Sequence, residues 1–115
     1  MTARGAITVE YNIQVKENGD ATVIQTPPGA KLQVDDSIII SSDDARTVIQ
    51  YRGTSPVAEI SKTDEFPIGK GKKGPFKCVL VGKSHHFDCG FMLGGHFQSW
   101  GDTDGASTPV GPKGN

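Results

Sequence analysis

PFKCVLVGKSHHFDCGFML, residues Pro75 to Leu93, is the stretch whose pairing decides how the chain is read. Folded about the midpoint between Lys83 and Ser84, it sets Leu80 opposite Phe87, Cys78 opposite Cys89 and Phe76 opposite Phe91. All six lie on one strand face, because side chains alternate with a period of two. The other face pairs Val81 with His86, Val79 with Asp88 and Lys77 with Gly90. A slip of one residue would move the apolar set to the wrong side, so the pattern specifies a register. The stretch therefore predicts a β-hairpin with one face on a core and one toward water.

Upstream, AITVEYNIQV (6–15) alternates cleanly. Ile7, Val9, Tyr11, Ile13 and Val15 share one face, and Thr8, Glu10, Asn12 and Gln14 the other, the pattern of a half-buried strand. Asn18-Gly19 is a turn signal suited to positive φ. Thr22 to Thr26 reads as a second strand, ended by Pro27-Pro28-Gly29, which cannot continue a ladder. Lys31 to Val34 alternates again, and Asp35-Asp36 turn the chain. Ile38-Ile39-Ile40 is a continuous apolar run, as expected of a central strand covered on both faces or of one in a subunit contact. Thr47 to Tyr51 is a further strand. Residues 53–74 hold few apolar side chains and predict a long irregular connection anchored at Val57, Ile60, Phe66 and Ile68. Downstream of the hairpin, Gly94-Gly95 turn the chain into a short strand, HFQSW, with Phe97 and Trp100 pointing inward. The segment 101–115 (GDTDGASTPVGPKGN) has the composition of a disordered tail unless something holds it.

The 115 residues fit one domain, a body over 1–100 with the tail 101–115. Fifteen glycines, seven prolines and a 35% apolar fraction suit a turn-rich β-protein. Six to eight short strands with no helical period predict an all-β, two-sheet antiparallel Greek-key sandwich of immunoglobulin-like build. A net charge of −1 argues against nucleic acid and anionic membranes, which want excess positive charge. The charge is divided, with a net −4 over 1–66 and +3 over 67–115. Complementary halves of this kind can steer copies into contact, or simply solvate two sides of a sandwich. MTARGAITVEYN lacks the pattern of a secretory signal, and no stretch has the ~20 apolar residues of a spanning helix. The expected location is the cytoplasm, with export inside an assembly left open.

Two cysteines allow one bridge, Cys78 to Cys89, if the hairpin loop runs from Gly82 to His85 and sets them in a non-hydrogen-bonded pair. In a reducing cytosol they are instead expected to be buried thiols.

The order of elements resembles that of cupredoxin-like sandwiches. The residues that carry the resemblance are the alternating first strand, a Pro-Gly-led segment ending LQVDDSIII, the strand TVIQY, a loop with Ser55-Pro56 and the closing FKC…FDCGF pair. Val34-Asp35-Asp36-Ser37-Ile38 takes the place of the family's Gly-Asp-type turn and apolar strand. The resemblance implies the fold. A blue copper site needs two His, a Cys thiolate and a weak axial ligand, and the family orders them with one His far upstream, then Cys, His, Met. In this chain no His precedes His85, and the order is Cys89, Met92, His96. A family-type copper site is therefore not expected, and no cofactor is.

His85, His86, Cys89, Met92 and His96 remain a local set of soft and borderline ligands for copper or zinc. GKGKKG (69–74) lacks the spacing and ending of a phosphate loop, and its lysines suit an exposed loop or edge strand. No serine or cysteine stands in a nucleophile context, so an enzyme is not expected. The acidic pairs Asp35-Asp36 and Asp43-Asp44 suit turns, and lack the spaced oxygens of a calcium loop. The reading that follows is a non-catalytic structural or interaction module, self-associating or a subunit of a larger assembly. Its expected partners are other copies of itself or another protein. Ile38, Ile39, Ile40 and Trp100 are the candidate contact residues, with residues 101–115 or the first strand pairing with a neighbour. The alternative is a metal-binding cupredoxin-like protein.

Overall fold

In the computed structural model, which describes residues 5–29, 31–51, 57, 65–78, 87–100 and 110–111, the first alternating segment becomes strand β1, Thr8–Val15. The strands that follow are β2 (Ala21–Thr26), β3 (Leu32–Gln33), β4 (Ser37–Ser42), β5 (Val48–Tyr51), β6 (Phe66–Pro67), β7 (Gly71–Lys77), β8 (Phe87–Leu93), β9 (His96–Ser99) and β10 (Val110–Gly111). No helix occurs among the described residues. The strands form two four-stranded sheets, ordered β2-β1-β4-β7 and β6-β5-β8-β9, with a small β10-β3 pair beside them. Pairing is mostly antiparallel, but β1 runs parallel to β4, and β10 parallel to β3. The architecture is an all-β sandwich. Beyond the strands expected from sequence it adds β6 and β10, each too short to leave an alternation.

Each sheet turns its apolar row inward. Val9, Tyr11 and Ile13 from β1 and Ile38 and Ile40 from β4 are fully buried, and they meet Ile49, Phe87 and Cys89 from the facing sheet. Tyr11 and Phe87 touch edge to face across the layer, with ring centroids 5.9 Å apart and planes at 88°, a favoured aromatic geometry. Phe66 and Phe76 repeat that contact between β6 and β7, at 5.6 Å and 87°. Burying each large apolar side chain stabilises by roughly 1.5–3 kcal/mol, so this inter-sheet layer is the main source of fold stability.

The expected hairpin over Pro75–Leu93 does not form. Strand β7 pairs with β4, Phe76 opposite Ile38, whereas β8 pairs with β5, Cys89 opposite Ile49. Cys78 instead makes an antiparallel bridge with Val57, and both cysteines are free thiols. The inward parity of Phe76, Cys78, Phe87, Cys89 and Phe91 is as read. Alternation fixes which side chains share a face but not which strand lies alongside, and two facing sheets satisfy the same apolar pattern as one hairpin. Leu80, Val79, Val81 and the proposed turn at Lys83–Ser84 lie outside the described residues. The connection expected to be irregular over 53–74 also contains structure. Its GKGKKG motif enters β7 as a lysine-rich edge strand, and Ile68 and Val57 are buried anchors while Phe66 is half-buried. Ile60 lies outside the described residues.

Two acidic turns tie the elements together. Asp36 is buried, and its carboxylate accepts the Ile7 N–H at 3.0 Å and the Gln33 N–H at 2.8 Å. Its backbone carbonyl accepts the Cys78 N–H at 2.8 Å. One aspartate thereby joins the start of β1, strand β3 and the end of β7. Asp43 similarly accepts the Val15 N–H at 3.0 Å.

Candidate interaction surface

The phase of the β1–β2 ladder determines which backbone groups of the outer strand face away from the sheet. After the turn at Asn18-Gly19, with Gly19 at φ +88°, the Lys16 N–H donates to the Asp20 carbonyl at 2.8 Å. Bonded and non-bonded pairs alternate along an antiparallel ladder. The bonded pairs are then Gln14 with Thr22, Asn12 with Ile24 and Glu10 with Thr26. The far side of β1 agrees in phase, since the Ile13 carbonyl accepts from the Asp43 N–H and the Ile7 carbonyl from the Ser37 N–H. Ala21 and Val23 therefore direct their N–H and C=O groups past the edge of the sheet. Among the described residues no strand lies beyond β2.

Along this edge Thr22, Ile24 and Thr26 face water, and Ile24 keeps 44% of its surface exposed. Residues 21–26 carry no charge and no proline. The other edges differ. Strand β7 carries Lys72, Lys73, Lys77 and Pro75 and is offset by an irregularity between Ile38 and Ile40, β6 has two residues including Pro67, and β9 has four. Lysine, proline, irregular pairing and short length are the usual means of keeping an edge unpaired.

A second exposed apolar feature is the β8–β9 hairpin end, where Met92 and Leu93 are 41% and 63% exposed. Toward the other end of that ladder Trp100 is buried, and its ring lies tilted at 39° against Phe91, with centroids 5.8 Å apart. The Arg46 guanidinium lies over both rings, 5.5 Å from Phe91 and 6.0 Å from Trp100. Two bonds to Asp44, at 3.0 and 2.8 Å, hold that guanidinium and lower the Asp44 carboxyl below its ordinary range. Cation–π contact and ion pair together fix the Arg46 guanidinium against the two rings.

The outer face of the first sheet is polar. Gln14 donates to Asn12, Asn12 donates to the Ser41 hydroxyl, and Ser41 donates to Glu10. Lys72 donates to the other Glu10 oxygen at 3.1 Å. The Lys72 hydrogen bond, with that of Ser41, lowers the Glu10 carboxyl below its ordinary value. This row links β1, β4 and β7 and leaves β2 as the uncharged margin of the face.

The residues expected from sequence to carry function are distributed unevenly. Ile38 and Ile40 are buried in the core and only Ile39 turns outward, half-buried. Trp100 is interior. The first strand, β1, is flanked by β2 and β4 and so offers no edge, and within the tail Val110–Gly111 pair with Leu32–Gln33 of the same chain. Of the metal-ligand set, Cys89 lies in the core, Met92 and His96 are exposed, and His85 and His86 lie outside the described residues. Burial pushes the Cys89 thiol up to about 12 and the Cys78 thiol up to about 11, with Asp88 and Asp36 adding to the effect. No cluster of three His, Cys, Asp or Glu occurs among the described residues. Nor is any helix among them long and apolar enough to cross a membrane. The open β2 edge escaped the sequence reading, although ATVIQT carried a signal in its lack of charge.

Comparison of the chain with family models, with curated proteins and with solved structures finds no match.

Proposed function

We propose that this protein is a non-catalytic β-sandwich module that works through its surface, associating with copies of itself or joining a larger assembly. The observation that supports this reading most is the placement of exposed apolar side chains at strand margins. Ile24 lies on an open edge, and Met92 and Leu93 lie at a hairpin end. Strand margins of this kind add neighbouring strands through backbone bonds, with alternate side chains supplying selectivity. Two of the charged side chains of the sandwich are engaged within the chain, Arg46 with Asp44 and Lys72 with Glu10. Sedimentation velocity from micromolar to millimolar protein tests the reading. Mass should rise with concentration, and a single monomeric species throughout would refute it.

A further inference from the structure

The geometry points to a two-fold dimer in which β2 of one copy pairs antiparallel with β2 of a second copy, and this inference rests on the self-association reading above. The pairing centres on Val23. Its N–H and C=O both point past the edge, so two copies related by a two-fold axis exchange a reciprocal pair of backbone bonds, Val23 to Val23. Thr22 of each copy then sits opposite Ile24 of the other, and the two four-stranded sheets become one of eight strands. Cross-strand contact between β-branched side chains on one face stabilises such a pairing, and it covers the exposed Ile24.

One observation favours a second copy over an unrelated strand, and two more favour the antiparallel direction and this edge. The contact is isologous, so one uncharged sequence, ATVIQT, supplies both sides without repulsion. The charged turn Lys16–Asp20 stands at one end of β2 and the uncharged Pro27-Pro28-Gly29 at the other. Antiparallel pairing sets each charged turn beside the partner's proline end, whereas parallel pairing would place the two acidic turns side by side. Finally, of the sheet edges described, β2 is the one that combines length with freedom from lysine, proline and irregular pairing. A six-residue edge is smaller than a standard protein interface, so the dimer should be weak and reversible.

Val23→Pro removes the outward N–H while leaving every β1–β2 bond in place. Ile24→Lys leaves the backbone intact and adds charge where the copies meet. Ser99→Pro alters the opposite open edge in the same way and serves as the control, because the phase of the β8–β9 ladder turns the Ser99 N–H outward. Each variant is first compared with the parent by thermal unfolding, then by sedimentation equilibrium. The expected result is a loss of association of about tenfold or more in both β2 variants, with Ser99→Pro unchanged. If the parent associates and the folded β2 variants associate equally well, the edge assignment is overturned while the self-association reading stands. If the parent is monomeric at millimolar concentration, both are overturned.

Discussion

The contact between Tyr11 and Phe87 offers the sharpest check on the fold, because the two rings belong to different sheets and meet only if the sheets face one another. Both side chains are fully buried. Phe87→Ala should cost about 3–5 kcal/mol through lost transfer energy and the cavity left behind. Against a total stability of about 5–15 kcal/mol, that is about a fifth or more of what holds the chain folded. Truncation alone does not identify the partner ring, so the informative perturbation is a cycle: Tyr11→Leu, Phe87→Leu and the double variant. Their edge-to-face geometry, with centroids 5.9 Å apart, predicts a favourable coupling of about 0.5–1.5 kcal/mol. Urea unfolding of the four proteins measures it. A coupling indistinguishable from zero would mean that the rings do not touch, and the two-sheet arrangement would fall with it.

Other outcomes follow from the same structure. Asp36→Ala strands the N–H groups of Ile7 and Gln33 and should destabilise by about 2–5 kcal/mol, whereas Asp36→Asn should recover part of that because one oxygen still accepts; denaturant midpoints decide. Gly74→Ala should be markedly destabilising, since Gly74 has φ +112° and an added Cβ would stand 2.7 Å from the Ile38 carbonyl oxygen; a thermal midpoint within 1 °C or so of the parent, about 0.2 kcal/mol, would contradict that packing. The two thiols titrate higher in the folded chain than in the unfolded one. Their contribution is therefore intact below the unfolded value near 9 and is lost as pH rises through about 11 for Cys78 and about 12 for Cys89. The slope is about 1.4 kcal/mol per pH unit for each thiol. A double Cys78→Ala, Cys89→Ala variant should lose less stability than the parent between pH 9 and 11, and equal losses would count against the burial of the thiols.

The faces of the strands were legible in the sequence because they depend on parity alone. Val9, Tyr11 and Ile13 face inward as alternation requires, and Asn18-Gly19 turns the chain where its side chains allow positive φ. The neighbours of the strands were not legible. The apolar symmetry about Lys83–Ser84 suited a hairpin, yet β7 and β8 went to opposite sheets, since an inward row gains the same burial from a facing layer as from an adjoining strand. The parallel β1–β4 pair depends on contacts about thirty residues apart, which no local pattern encodes. Asp36 looked like a turn residue, and its local role is real, but its reach to Ile7 follows from that long-range pairing. The candidate surface was obscured for the same reason. Ile38–Ile40 read as contact residues from hydrophobicity, and the sheet order placed two of them in the core while leaving the plainer segment ATVIQT at an edge.

The most direct measurement of the proposed association is amide hydrogen exchange at Val23, followed by NMR from dilute to concentrated protein. Thr22 and Ile24, bonded to β1, should exchange slowly at every concentration, while Val23 should exchange fast when dilute and slow progressively as the copies pair. A Val23 amide whose exchange does not change with concentration would contradict the account.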